Sequence, residues 1–162
     1  MLDKLMKGFV DLIYGVRRTK KIFRSKNPLE TIYASDGSKS ILTSDTKVIE
    51  RGMEWVTSQR AVVLLTNKRI ICGKWSIPLI DISEAQLLKV RSLFGAGQVL
   101  RVRTNDANYQ FGMQLNKEWT NQNILPLTIE EGKIKISPFS KIIRFVLVAY
   151  LIYWLFEKFI QS

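Results

Sequence analysis

Apolar positions near the start of the chain recur at helical spacing. Leu2, Leu5, Met6, Phe9, Leu12, Ile13 and Val16 follow an i, i+3, i+4, i+7 rhythm, and Asp3, Lys4, Lys7, Asp11 and Tyr14 occupy the other face. The pattern predicts an amphipathic helix over 2–16, followed by a basic linker, RRTKKIFRSK, in which Ile22 and Phe23 interrupt the cations. Asn27-Pro28 and the polar run Ser35-Asp36-Gly37-Ser38 then read as punctuation before a central region. Within that region the period shortens to two. Weak strand signals at 46–49 and 54–58 precede a strong one at 60–65, answered by 68–72 across Thr66-Asn67 as a hairpin. Further strands are expected at 75–77, 84–94, 99–104 and 109–113, with breaks at Gly73-Lys74, Gly95-Ala96-Gly97 and 105–108. Asn116 is placed to cap a short helix through Trp119, ended by Pro126. A hairpin about Glu131-Gly132, pairing 127–129 with 133–136, is expected next. The final segment, IIRFVLVAYLIYWLFEKFI, reads as a helix with Ser137 as cap and Pro138 at its first position.

The 162 residues suit one domain with appendages, and the composition, 46% hydrophobic and 24% charged, is that of an ordinary globular chain. The net charge of +11 changes the picture because of where it sits. Residues 1–28 carry eight cations (Lys4, Lys7, Arg17, Arg18, Lys20, Lys21, Arg24, Lys26) against two carboxylates, and residues 133–162 carry five, including Lys141 and Arg144, against Glu157. The middle, with twelve against eleven, is almost neutral. A nucleic-acid-binding domain is expected to carry its basic face on the folded body, so no nucleic-acid partner is expected. Cations beside apolar segments suit an anionic lipid surface instead, at roughly 1 kcal/mol per Lys or Arg.

On this reading the N-terminal helix lies in the headgroup layer or packs on a partner helix. The C-terminal segment, residues 138–162, is expected to be transmembrane or membrane-embedded through Phe145, Leu147, Leu151, Trp154 and Leu155, a tail anchor. A buried packing helix is the alternative, because the uncharged stretch 145–156 is only twelve residues long. The expected location is the membrane, single-pass or peripheral, with the main domain on the cytoplasmic side.

The stretch LLTNKRIICGKWSIPLIDIS, residues 64–83, resembles the pleckstrin-homology-like superfold and, within it, the GRAM and bacterial PH-like domains. LRVRTNDANYQFGM (100–113) and the Trp119 helix are similar to the family's last hairpin and closing helix. The resemblance covers about residues 45–125. It implies a mainly β (α+β) fold, a bent antiparallel sandwich or barrel closed by a short helix, working as a non-catalytic module that binds lipids or proteins. The implied organisation is 1–28 amphipathic helix and basic linker, 29–126 PH-like domain, 127–137 hairpin linker and 138–162 terminal helix. The first hairpin lacks the cation cluster of phosphoinositide-binding members, so headgroup recognition does not transfer with the fold.

Candidate chemistry narrows the functions further. With no histidine and a single cysteine, Cys72, the chain offers neither a disulfide nor a zinc or iron–sulfur cluster, nor an imidazole to activate a nucleophile. No enzyme, metal or cofactor is expected. Gly95-Ala96-Gly97 lacks the Lys-Ser/Thr of a phosphate loop. Lys68 and Arg69 at the TNKR turn are candidates for a headgroup or partner contact, the ordinary alternative being a solvated turn. The expected function is a membrane-tethered binding module contacting anionic lipid headgroups, protein partners or both. The alternative is an accessory subunit of a larger membrane complex or a homo-oligomer.

Overall fold

The computed structural model describes residues 2–43, 50–51, 58–92, 95–132, 135–136 and 138–160. The strand signal at 46–49, and that at 54–58 except Ser58, lie outside the described residues. The described chain divides into two units, 1–47 with 58–133 and 48–57 with 134–162.

In the first unit the chain opens with two helices, α1 (Leu2–Tyr14) and α2 (Val16–Lys26). Gly15 separates them with φ 66°, a left-handed conformation that a side chain would resist. Residues 17–26, expected as a linker, are helical. The reason is packing: Val16 and Phe23, one helical row apart from the cations, meet Val62 and Leu64 on the sheet.

An eight-stranded sheet follows in the order β5-β4-β3-β1-β8-β7-β6-β9. Its strands are β1 (Ile32–Thr43), β3 (Gln59–Thr66), β4 (Arg69–Cys72), β5 (Trp75–Pro78), β6 (Ile82–Ser92), β7 (Gly95–Thr104), β8 (Asn108–Gln114) and β9 (Thr128–Gly132), with a 3-10 turn at Leu79–Asp81 before β6. β1 is the shared strand: residues 32–40 pair with β3 and residues 39–43 with β8. The neighbouring strands from β5 to β6 are all antiparallel, and β9 joins β6 in parallel, Gln86 opposite Thr128. The core lies on one face, where Val63, Leu65, Ile70, Leu87, Leu100 and Phe111 surround Trp119. That tryptophan belongs to α3 (Lys117–Asn121), whose first turn is capped by Asn116 accepting from the Glu118 amide.

Mainly β structure with flanking helices is thus what the chain forms, but among the described residues the sheet ends at β5 and β9 and does not close into a barrel. The polar run Ser35–Ser38 is not a turn but the buried middle of β1, because its side chains find partners rather than water. The described strands of the stretch 127–137 pair elsewhere than in the expected hairpin. β9 pairs with β6, and in the second unit β10 (Lys135–Ile136) pairs in parallel with β2 (Glu50–Arg51).

The second unit also holds α4 (Pro138–Ile160), the expected terminal helix beginning at the expected proline. The membrane-spanning reading of this segment is overturned: among the described residues no helix is long and apolar enough to cross a membrane. The uncharged run 145–156, with Arg144 before it and Glu157-Lys158 after it, covers about 18 Å against a hydrocarbon core of about 30 Å. The tail anchor and the single-pass location with a cytoplasmic main domain fall with it.

One close approach fixes the helices on the sheet. A Cβ at Gly37 would stand 2.6 Å from Cγ of Tyr14, so the α1 ring can rest on β1 only over a glycine. Gly37→Ala is expected to cost about 1–3 kcal/mol by overpacking, with faster amide hydrogen exchange confined to α1 and α2. Exchange unchanged there would place the ring elsewhere.

Candidate functional site

The helical pair sorts its cations into two sets. Lys7 and Lys20 turn toward the sheet: the Lys7 ammonium lies 2.7 Å from Asp11 and 3.5 Å from Asp36, and Lys20 donates to the Ser35 hydroxyl at 3.0 Å. Arg17, Arg18, Lys21, Arg24 and Lys26 are exposed. Four apolar side chains of the same two helices are exposed as well, Leu12 at 78%, Ile13 at 65%, Phe9 at 60% and Ile22 at 45% of full exposure. Arg24 and Lys26 occupy the last turn of α2, where cations complement the helix dipole. The helical pair thus exposes both positive charge and apolar bulk.

Beneath it lies a polar cluster that the sequence pattern did not reveal. Asp36 is fully buried in β1. Burial pushes its carboxyl up to about 6, against the opposing pull of Lys7, and Asp11 adds to the rise. Burial also works against the Lys7 ammonium, but Asp11 and Asp36 outweigh it and hold that group above its ordinary value. One oxygen each of Asp11 and Asp36 is buried without a hydrogen-bond partner. Nearby, Glu118 accepts from the Ser35 amide at 3.0 Å, and Asn116 donates to the Ser35 carbonyl at 3.0 Å. The cluster therefore ties α1, α2, β1 and α3 together.

The raised Asp36 value sets a pH dependence. A carboxyl that resists ionisation in the folded state costs stability as pH rises from its ordinary value near 3.8 through about 6, and the cost is constant above. Asp36→Asn is expected to raise stability at pH 7 by about 1–3 kcal/mol and to flatten the fall between pH 4 and 6. Urea unfolding at both ends of that range checks it. A parent protein equally stable across the range contradicts the assignment.

The TNKR turn presents a different picture. Arg69 makes a two-pronged ion pair with Glu30 (2.8 and 3.3 Å) and donates to Asn27 and Ser76, both at 3.2 Å. Burial of Glu30 opposes its charge, but Arg69 and the Thr66 hydroxyl outweigh this and hold it below the usual carboxylate range. Thr66 in turn accepts from the amides of Lys68 and Arg69. Arg69 is thus occupied in fastening the turn to the chain after α2, while Lys68 is exposed. Cys72 is buried 3.0 Å from the Ser40 hydroxyl, and burial raises its thiol to about 11, which leaves little thiolate. Among the described residues no group of His, Cys, Asp and Glu could hold a metal ion.

Of the apolar candidates on α4, Phe145, Leu147 and Trp154 are exposed, as are most of their described neighbours. The side chains of Lys4, Lys141, Arg144, Leu151 and Leu155 lie outside the described residues.

No family model and no curated protein matches the chain. Among solved structures, the C-terminal domain of an unknown protein from Leishmania infantum is similar over 63% of this chain and 89% of that one, at 14% identity and a TM-score of 0.38.

Proposed function

We propose that the chain is a non-catalytic binding module whose α1–α2 surface contacts anionic lipid headgroups. The observation that carries the reading is the coincidence of five exposed cations with four exposed apolar side chains on one helical pair, while the remaining described cations of that pair are turned inward. Such a surface combines electrostatic attraction with shallow apolar insertion. The finer fold reading, a pleckstrin-homology-like or GRAM-like domain, is supported by the run of antiparallel strands followed by a short helix whose tryptophan fills the core.

Co-sedimentation with vesicles tests it. Binding is expected to phosphatidylcholine vesicles containing phosphatidylglycerol and not to phosphatidylcholine alone. It is expected to weaken as salt shortens the screening length from about 10 Å to about 3 Å. Equal binding to both vesicle types, or to neither, removes the proposal.

A second reading rests on α4. A helix exposing Phe145, Leu147, Tyr153, Trp154 and Phe156 presents an apolar surface of the kind that protein partners cover. This favours a structural subunit of a larger assembly or a self-associating chain. A monomer by light scattering at all concentrations, with nothing co-purifying, argues against it.

A further inference from the structure

Strands β6, β7 and β8 set out a grid of polar side chains on the face turned away from the core. Leu87, Leu100 and Phe111 lie opposite one another in the core, so Gln86, Arg101 and Gln110, one residue along each strand, stand on the other face. Glu84, Arg103 and Asn108 form the next row on that same face. These six residues line a pocket of about 280 Å³. That is at the lower limit of the usual range for small-molecule sites, about 300–1,000 Å³, and suits a compact ligand.

The lining itself says what would bind. Nη1 of Arg101 donates to Oε1 of Gln86 at 3.1 Å, yet Nε is buried and, among the described residues, no group accepts from it. A buried N–H left unmade is costly, and an acceptor carried by a ligand removes that cost. Arg103 reaches Glu84 only at 3.6 Å, with half or more of each side chain exposed, a pairing that water weakens. Two guanidiniums against one carboxylate leave a single positive charge, which a monoanion balances. Guanidinium N–H groups match a carboxylate in geometry as well as charge. Glu84 is an acceptor when ionised and so selects a donor elsewhere on the ligand. Glu84 and Arg101 are diagonal neighbours across the β6–β7 pairing, roughly 7–8 Å apart, about the reach from an acid to a hydroxyl across a benzene ring.

We infer that this pocket binds a small monocarboxylate bearing a hydroxyl at its far end, the carboxylate accepting from Arg101 and the hydroxyl donating to Glu84. Arg103 supplies the balancing charge beside them. The pocket shares no residue with the α1–α2 surface, so the two assignments stand or fall separately.

The test titrates 4-hydroxybenzoate into the full chain and follows the arginine Nε–H groups by nuclear magnetic resonance. Saturable binding is expected, with the Arg101 Nε–H signal shifted and its exchange with water slowed as the carboxylate accepts from it. Methyl 4-hydroxybenzoate lacks the charge and is expected to bind at least about tenfold more weakly. Benzoate lacks the hydroxyl and is expected to bind at least about threefold more weakly. Glu84→Ala, at an exposed position, is expected to erase the preference for 4-hydroxybenzoate over benzoate while the chain stays folded. The Arg101 signal is read in the unaltered protein, so the outcome does not hang on how the variant folds. No saturable binding, an Arg101 Nε–H that does not respond, equal affinity for the methyl ester, or a preference that survives Glu84→Ala overturns the assignment and leaves the lipid-surface reading untouched.

Discussion

Replacing Arg17, Arg18, Lys21 and Arg24 together by Gln is expected to reduce affinity for anionic vesicles by about a thousandfold. Each cation near such a surface contributes roughly 1 kcal/mol, and four of them sum to about 4 kcal/mol. The four are exposed, so their removal is expected to change folding stability by less than about 0.5 kcal/mol. Lys7→Gln and Lys20→Gln are the contrasting substitutions. Their ammonium groups face Asp11, Asp36 and Ser35, so losing them disturbs the fold before it disturbs binding. A quadruple variant that binds vesicles as the parent does would show that the charge on α2 is only a solvated face.

Trp119→Ala is expected to cost about 3–5 kcal/mol, the range for deleting a large buried aromatic. The side chain is fully buried among the core residues of both halves of the sheet. It also anchors α3, a five-residue helix too short to persist unaided. Loss of α3 in turn releases the Glu118 and Asn116 bonds to Ser35, so the middle of β1 loosens as well. Against a total stability of about 5–15 kcal/mol, the variant is expected to unfold at a much lower urea midpoint. Trp119→Phe is expected to cost less, because the indole nitrogen it removes is buried without a hydrogen-bond partner. An alanine variant within about 1 kcal/mol of the parent would place α3 outside the core.

Where apolar periodicity and turn residues agree, the sequence is read correctly. The first helix, the hairpin across Thr66-Asn67 and the helix starting at Pro138 lie where their residues place them, and the Trp119 helix takes the expected Asn116 cap but stops at Asn121, short of Pro126. One failure comes from polar residues whose burial is made tolerable by distant partners. Ser35, Asp36 and Ser38 read as a turn, yet Lys20, Lys7, Asn116 and Glu118, far away along the chain, supply part of what water would have supplied. The basic stretch after Val16 reads as a linker because its apolar contribution is sparse, but Val16 and Phe23 suffice once β3 lies beneath them. Parallel addition of β9 to β6 was invisible for a different reason: local pattern carries no information on which distant strand an edge will join. The candidate surface was legible as charge and apolar pattern. Which cations face out and which face in became clear only from their partners.

The most direct test of the lipid-facing surface is residue-resolved. With the full chain bound to phosphatidylglycerol-containing nanodiscs carrying a gadolinium-chelating lipid, paramagnetic relaxation of backbone amides is expected to be steepest from Phe9 through Arg24. It is expected to be weak across Asn67–Arg69, where Arg69 is tied to Glu30. Steepest relaxation at that turn, or uniform relaxation over the sheet, would contradict the assignment of α1 and α2 as the contact surface.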